Sequence, residues 1–345
     1  MTAPAGPRPR RVLVRLPNWL GDTVMAVPTL AALRAAWPGA EVWGVGPWGP
    51  VVLDGQGLVH RALPSPRGRL ARLRQARELA GHGFDLAVIL PASLETGLWA
   101  WVTGAARRIG YRGDGRAAFL TDALDPADGL VHEVSAYLGL LAPLGIAPPA
   151  SPPAPRLVVS PELRGEARGL LAGVGAPADA WPVGIQLGAA LGPSKLWSAP
   201  ALAQLTRRLA EAGRQVVFLG APPAATLFRT VAEELGQLPP SLVGRDRPAL
   251  LPALLAELAA LVSPDSGPAH VAAAVGTPVI TLFGPTDPRR TGPLGPGARA
   301  LWAKPPCAPC FRPRCPIDHR CLATLDPAEV AVAVLAAVAG AGPAR

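Results

Sequence analysis

The chain lacks the long apolar runs of membrane proteins and the scattered cysteines of secreted ones. Its apolar stretches fall short of the roughly 18 residues that a transmembrane helix needs. No apolar signal segment follows the basic N-terminus, and all four cysteines lie between Cys307 and Cys321. We therefore expect a cytoplasmic protein with neither a membrane-spanning helix nor a disulfide framework.

Aromatic and charged side chains are also scarce, at 5% and 17% of 345 residues, whereas 50% are hydrophobic. This composition excludes a disordered chain and predicts a substantial core. The net charge of +9 favours an anionic partner, either a nucleic acid, an acidic lipid surface or a phosphorylated substrate. No nucleic-acid-binding motif accompanies the few aromatic residues, so we expect no nucleic-acid partner.

Strand-like and helix-like segments alternate along the chain in two series. The first begins with a strand at residues 11–16 and a helical pattern at 23–36. The second begins at Trp181, and Ser198 is the predicted N-cap of a helix over 199–212. A Pro-rich segment at 147–157 separates them. The pattern predicts two similar α/β domains with parallel sheets that face each other across a cleft.

Gly21 and Asp22 lie where the first strand gives way to the first helix. In open α/β sheets, ligands bind outside the carboxyl ends of the strands, so a carboxylate here is a candidate catalyst. Asp is equally a favoured N-cap residue, and Thr23 follows it. The sequence leaves both interpretations open, and they are compatible.

Two turns of the second series are candidate anion sites. Residues 263–270 (SPDSGPAH) join a strand to a helix, so their backbone N–H groups could hold a diphosphate. The alternative is an ordinary turn, capped by Asp265 or Ser266, with His270 buried. The turn at 188–195 ends in Lys195, which is either a phosphate contact or a solvated surface charge.

Some familiar nucleotide motifs are missing. Neither turn matches G-x-G-x-x-G or the Walker pattern, which removes the main support for hydride transfer or a P-loop. The segment 307–321 instead holds five soft or borderline metal ligands, which could form a zinc or iron site or could be small buried residues. These ligands are Cys307, Cys310, Cys315, His319 and Cys321.

Several segments together resemble the ADP-heptose:lipopolysaccharide heptosyltransferases, glycosyltransferase family 9. The segments that carry the resemblance are RLPNWLGDTVMAVPTLAALR at 15–34, ARRIGYRGDGR at 106–116, HEVSAYLGLLAPLG at 132–145, LGPSKLW at 191–197, VSPDSGPAHVAAAVGTPVITLFGPTDPRRTGPLG at 262–295 and CAPCFRPRCPIDHRCL at 307–322. They cover nearly the whole chain in the family's order. The chain departs from the family at 188–190, where hydroxyl residues are common, and at Ala92, where Asn is common.

The resemblance implies a GT-B architecture of two Rossmann-like domains. Residues 1–155 would bind the acceptor, and residues 156–345, including the Cys-rich loop at 307–321, would bind ADP-heptose. It also implies an inverting, metal-independent transfer of L-glycero-D-manno-heptose to the heptosyl-Kdo2-lipid A inner core. The net charge would then suit transient contact with the anionic inner face of the membrane, as a peripheral protein.

The resemblance also assigns residues. Asp22 matches the family's general base, and Lys195 matches the lysine that neutralises the departing ADP. The implied donor-binding residues are Gly188, Ala189, Lys195, Asp265, Ser266, Gly267 and His270, and the implied acceptor-binding residues are Asn18, Trp19, Gly21, Ser93 and Arg112. No cofactor is expected for catalysis, and a metal in the Cys-rich loop would be structural.

Two alternatives stay open at this level. The chain could be a family 9 enzyme with another donor or acceptor, or a nucleotide-binding protein that keeps the fold without catalysis.

Overall fold

The computed structural model describes residues 8–245 and 247–341. The chain divides between Pro155 and Arg156 into two compact units. The division falls inside the Pro-rich segment at 147–157, which contains no helix or strand.

Unit 1 is a parallel sheet with covering helices. Its strands, among residues 8–155, are β1 (Arg11–Arg15), β2 (Glu41–Val45), β3 (Arg61–Leu63), β4 (Leu86–Ile89), β5 (Arg107–Tyr111) and β6 (Asp122–Leu124). Its helices are α1 (Leu20–Met25), α2 (Val27–Ala36), α3 (Gly49–Val52), α4 (Arg69–Ala80), α5 (Leu94–Val102) and α6 (Glu133–Gly139). The strand order is β3-β2-β1-β4-β5-β6, with every pairing parallel.

In this order the strand sequence reverses direction between β1 and β4, which is the topological switch point of the sheet. The central strands are apolar because helices cover both faces of the sheet; all four residues of β4 are buried. One core cluster joins Leu13 of β1, Ile89 of β4 and Trp99 of α5. Doubly wound sheets bind ligands at this switch point, outside the carboxyl ends of the strands. The loops after β1 and β4 are therefore the expected ligand-binding loops of unit 1.

The predicted helix over 23–36 is wrong in two respects. The helix begins three residues earlier, at Leu20, which is 8% exposed. Asp22 therefore lies in the first turn, and Trp19 occupies the N-cap position that we considered for Asp22. The helix also breaks at Ala26, because Pro28 has no N–H to continue the hydrogen-bond ladder of α1 into α2.

Unit 2 repeats the architecture. Its strands, among the described residues from 156 onward, are β7 (Val183–Gln186), β8 (Val216–Leu219), β9 (Ala260–Pro264), β10 (Val279–Phe283) and β11 (Ala298–Trp302). Its helices are α7 (Pro161–Gly173), α8 (Ala199–Glu211), α9 (Ala225–Leu235), α10 (Leu251–Ala256), α11 (Gly267–Ala274), α12 (Pro288–Thr291), α13 (Arg320–Ala323) and α14 (Pro327–Ala341). The strand order is β11-β10-β9-β7-β8, and all pairings are parallel.

The switch point of unit 2 lies between β7 and β9, and it positions two of the predicted donor turns. The turn with Lys195 follows β7, and the turn with Asp265 follows β9. The prediction that Ser198 caps α8 is confirmed, because its hydroxyl accepts a hydrogen bond from Ala201 N at 3.4 Å. The capped helix packs its apolar face on the core of the sheet, which fixes the end of the Lys195 turn.

Candidate active site

An ion pair joins the two turns at the switch point of unit 2. Lys195 Nζ donates to Asp265 Oδ2 at 2.6 Å and to the Asp265 carbonyl at 3.0 Å. The side chains are 13% and 7% exposed, respectively. The alternative of Lys195 as a solvated surface charge is therefore wrong, because its ammonium is held at the carboxyl edge of the sheet.

Thr286 is a third member of this group, which the sequence analysis missed. Its hydroxyl donates to Asp265 Oδ2 at 2.7 Å, so that oxygen accepts from Lys195 and Thr286 together. Thr286 follows β10, the strand next to β9 in the sheet. Only the adjacency of these strands in the fold brings the three residues together.

The turn after β9 presents the N-terminus of α11 beside the ion pair. Ser266 occupies the N-cap position without a capping side-chain bond, and its hydroxyl lies 2.9 Å from that of Ser263. The alternative in which the Ser266 side chain caps the helix is therefore wrong. His270 is buried, at 5% exposure, one turn into the helix from Gly267. The first N–H groups of α11 provide donors for an anion, with the positive end of the helix dipole behind them.

A pocket opens beside Lys195 where strands β7, β9 and β10 end. Its enclosed volume is about 10 Å³, room for roughly one water, and its walls include Gln186, Leu187, Lys195, Ser263 and Pro264. Gly188 and Ala189 follow Leu187 and are partly exposed. The predicted donor residues Gly188, Ala189, Lys195, Asp265, Ser266, Gly267 and His270 thus lie on the two turns that flank one switch point.

In unit 1, Asp22 lies beyond the carboxyl end of β1 and is partly exposed. An acidic residue in the first turn of a helix is favoured by the helix dipole. Helix α6 approaches this position. Burial, with the negative charges of Glu133 and Asp22 nearby, raises the pKa of Tyr137 well above its ordinary value. Tyr137 is thus a neighbour of Asp22 that the sequence analysis missed, and Glu133 is in turn a neighbour of Tyr137; both lie in the motif at 132–145.

A buried arginine holds the loop before Asp22. Arg15 is 3% exposed; it donates to Asn18 Oδ1 at 2.8 Å and to the Val45 carbonyl at 3.3 Å. Burial lowers its pKa to about 10, so it still carries its charge at neutral pH. Asn18 therefore helps to fix this loop, whereas Trp19 beside it is 59% exposed.

The loop after β4 faces the same switch point. Ser93 caps α5, since its hydroxyl accepts from Thr96 N at 3.3 Å. Arg116 is fully buried, and its guanidinium donates to the Pro91 carbonyl that precedes Ser93. Arg112 follows β5, the strand that pairs with β4, and its exposed side chain pairs with Asp125 at 2.9 Å. Asn18, Trp19, Gly21 and Ser93 thus border the β1/β4 switch point, and Arg112 lies one strand further along the same edge of the sheet.

The four cysteines of the Cys-rich loop, residues 307–321, line a pocket of about 20 Å³. None forms a disulfide; Cys307 and Cys310 are exposed, Cys315 is intermediate and Cys321 is buried. The alternative that the cysteines are small buried residues is therefore wrong for Cys307 and Cys310. Within residues 8–245 and 247–341, no three His, Cys, Asp or Glu side chains are arranged to hold a metal ion.

Comparison with known proteins gives a consistent result. Residues 72–320 match the model of "Glycosyltransferase family 9 (heptosyltransferase)". Lipopolysaccharide heptosyltransferase 2 of Salmonella typhimurium is 29% identical over 306 residues, covering 84% of this chain and 87% of that one. The structure of ADP-heptose LPS heptosyltransferase II of Escherichia coli superposes with a TM-score of 0.80 at 26% identity, covering 96% and 99% of the two chains.

A family 9 glycosyltransferase from Veillonella parvula is similar in fold, with a TM-score of 0.84 at 21% identity over 96% of this chain and 98% of that one. The two parallel α/β sheets, with candidate site residues at their switch points, define a glycosyltransferase of the GT-B type. The chain belongs to glycosyltransferase family 9, since the match spans more than half of its length.

Proposed function

We propose that this chain is an inverting glycosyltransferase that moves L-glycero-D-manno-heptose from ADP-heptose to the heptosyl-Kdo2-lipid A inner core of lipopolysaccharide. Unit 2 would bind the donor, and unit 1 would bind the acceptor. The observation that carries the proposal is the buried Lys195–Asp265 pair at the switch point of unit 2, in a chain similar to lipopolysaccharide heptosyltransferases 2.

The assignment of the donor site rests on the negative charge that the departing ADP carries. Cleavage of the bond between the anomeric carbon and the diphosphate leaves negative charge on ADP. The Lys195 ammonium and the first N–H groups of α11 lie at the same edge of the sheet, where they can stabilise that charge. Asp265 and Thr286 hold the lysine in place, so little reorganisation accompanies bond cleavage. We assign the diphosphate of the nucleotide to the edge of the sheet formed by Lys195 and the start of α11.

The acceptor half rests on Asp22. Inversion needs one base, which takes the proton of the acceptor hydroxyl while that oxygen bonds to the anomeric carbon and ADP departs. Asp22 is a partly exposed carboxylate at the switch point of unit 1, where a ligand is expected. We therefore assign the base to Asp22 and acceptor contacts to Asn18, Trp19, Gly21, Ser93 and Arg112.

The test is turnover of ADP-L-glycero-D-manno-heptose with heptosyl-Kdo2-lipid A, following ADP release and product mass. Wild type should add one heptose. Asp22→Asn should lower kcat by about 10²- to 10⁴-fold, because it removes the base, and should leave ADP affinity unchanged. Asp54→Asn is the matched control, because Asp54 is an exposed aspartate of the same unit.

Other outcomes separate the alternatives. Binding of ADP-heptose without transfer to this acceptor would retain the donor assignment and refute the acceptor. A chain that binds ADP and shows equal activity for wild type and Asp22→Asn would refute the assigned base. A chain that does not bind ADP at all would refute the proposed donor.

We also propose that unit 1 contacts an anionic membrane surface, because the proposed acceptor is a lipid. No helix of the described residues is long and apolar enough to cross a membrane. Residues 61–77 carry six arginines and no acidic residue. Glu95 of α5 contacts Arg69 and Arg72 of α4, and the adjacent Leu70 and Leu94 are 74% and 48% exposed. Exposed leucines among arginines suit an anionic lipid interface.

Cosedimentation with vesicles tests this surface. The full chain should bind phosphatidylglycerol vesicles more than phosphatidylcholine vesicles, and salt should weaken the binding. Arg69→Gln combined with Arg74→Gln should reduce it severalfold. The control pair, Arg208→Gln with Arg229→Gln, removes the same charge from exposed positions of unit 2. Equal loss with both pairs would indicate a general effect of net charge and refute the assigned surface.

For the Cys-rich loop, we propose that any zinc or iron is structural. The four thiols share one pocket, but no three donors of the described chain are arranged for a metal, so the loop would have to draw them together. His319 Nε2 contacts the Ser194 carbonyl and is therefore not available as a ligand atom. Elemental analysis of the purified chain and of the Cys307→Ser, Cys310→Ser variant tests whether these thiols hold a metal. Turnover of the metal-free, folded chain tests the structural role, and loss of that turnover would refute it.

A further inference from the structure

We infer that His319 is a positioning residue for donor binding. His319 lies in the Cys-rich loop, and its side chain holds the turn that contains Lys195. The inference rests on the proposed function in one respect only, namely that Lys195 contacts the diphosphate of the donor. It assigns to the Cys-rich loop a role that does not depend on a bound metal.

The loop engages every polar group of Ser194, the residue before Lys195. Ser194 N donates to the Pro313 carbonyl at 3.1 Å, and Ser194 Oγ donates to the Arg312 carbonyl at 2.5 Å. His319 Nε2 donates to the Ser194 carbonyl at 2.6 Å. Ser194 itself is 3% exposed. Since buried polar groups need partners, these three bonds define one position of the turn.

Two further contacts, one on each side of Lys195 in the chain, also hold this turn in place. Gly192 has φ 139, and a Cβ there would lie 2.6 Å from the Pro313 carbonyl oxygen, so only glycine lets the loop approach this closely. Beyond the lysine, Trp197 Nε1 donates to the Leu322 carbonyl at 3.1 Å. The turn is thus held against the Cys-rich loop before Lys195 and against helix α13, at the end of that loop, after it.

The loop also holds the second partner of Asp265. Cys310 N and Phe311 N both donate to the Pro285 carbonyl, at 3.0 and 2.8 Å. Pro285 precedes Thr286, whose hydroxyl contacts Asp265 Oδ2. Ser194 and Pro285 also line the pocket of the four cysteines. One loop therefore supports the turns of both residues that bind the Asp265 carboxylate.

His319 is the side chain through which this support can be tested. The other bonds from the loop to Ser194 are made by backbone carbonyls of the loop, which no substitution within the loop removes. The His319 backbone has φ 57, and its N–H donates to Cys315 Sγ at 3.3 Å. This conformation places the imidazole at the start of α13 with its Nε2 on Ser194. Loss of the imidazole leaves a buried carbonyl without its donor and loosens the Lys195 turn.

The experiment compares His319→Ala, His319→Gln and Ile317→Ala with wild type. Ile317 is 60% exposed in the same loop and serves as the matched control. We expect His319→Ala to raise the Kd for ADP, measured by calorimetry, and the KM for ADP-heptose by about three- to tenfold. The acceptor KM should not change. His319→Gln keeps an N–H donor and should recover most of the affinity, and Ile317→Ala should match wild type.

A folded His319→Ala protein with unchanged ADP affinity would overturn the inference, as would a parallel rise in the acceptor KM. Elemental analysis accompanies each variant. If wild type holds a metal that His319→Ala has lost, and chelator-stripped wild type binds ADP equally weakly, the effect belongs to the metal and the inference fails. Where His319→Ala does not fold, Ser194→Ala removes only the bond to Arg312 and is judged by the same readouts. Absence of ADP binding by wild type would instead refute the proposed function.

Discussion

The Lys195–Asp265 pair predicts a strongly non-additive response to substitution. At 2.6 Å and an effective dielectric constant of about 20, the attraction is about 6 kcal/mol. Desolvation of two largely buried ions costs several kcal/mol each, so the pair as a whole contributes little net stability. Removal of one partner leaves the other charge buried alone. Lys195→Met or Asp265→Asn should therefore lower the free energy of unfolding by about 3 to 5 kcal/mol.

The double variant distinguishes this reasoning from a simple loss of contacts. Lys195→Met with Asp265→Asn removes both charges, so its unfolding free energy should exceed that of either single variant by about 2 kcal/mol or more. The assay is urea unfolding of the full chain, followed by circular dichroism, with and without ADP. ADP should stabilise wild type but not the double variant, which lacks the ammonium that we assign to the diphosphate.

A surface pair provides the control. Arg112 and Asp125 lie 2.9 Å apart, but their side chains are 53% and 75% exposed. Asp125→Asn should leave the unfolding free energy close to that of wild type. Additive effects of the two single variants at 195 and 265, with the double variant the least stable, would refute the claim that burial of the charges governs this site.

Two further predictions concern titration and a second buried carboxylate. Burial raises the pKa of both tyrosines, Tyr111 and Tyr137, so the folded chain should show little phenolate absorbance at a pH of about 10. The unfolded chain releases these protons first, so stability should fall as pH rises above about 10; half-ionised tyrosines in the folded chain would contradict this. Glu257, 5% exposed, pairs with Arg164 and a second arginine of α7. Glu257→Gln should cost about 2 kcal/mol in urea unfolding, and Glu211→Gln at an exposed position should cost nothing measurable; equal effects would refute the role of burial.

The sequence predicts the parallel α/β architecture because buried strands read as apolar runs between helical patterns. It also locates Lys195 and Asp265, since both follow such runs. It cannot give the strand order, which depends on pairing between distant segments. Thr286 was missed for that reason, because its contact with Asp265 exists only when β10 lies beside β9.

The start of α1 shows how tertiary packing overrides a local preference. Asp22 is a better N-cap residue than Trp19 by intrinsic preference. The helix nevertheless begins at Leu20, and Leu20 and Gly21 are buried. Because the helix begins at Leu20, Asp22 lies in its first turn and is partly exposed. An assignment of Asp22 as the N-cap from the sequence alone does not predict this position. Edge strands β3 and β6, of three residues each, are too short to leave a periodic pattern.

The burial of Lys195 has a practical consequence, because Lys304 is the only other lysine in the chain. A protease that cuts on the amino side of lysine can cut at just two places, and one of them is Lys195, whose ammonium Asp265 holds. Lys304 is exposed, so its cleavage serves as an internal reference. The rate at which the fragment of residues 195–303 appears would then measure how often the Lys195 turn opens in solution. Because nearly all basic residues of this chain are arginines, cleavage at lysine reports on one defined position without any added label.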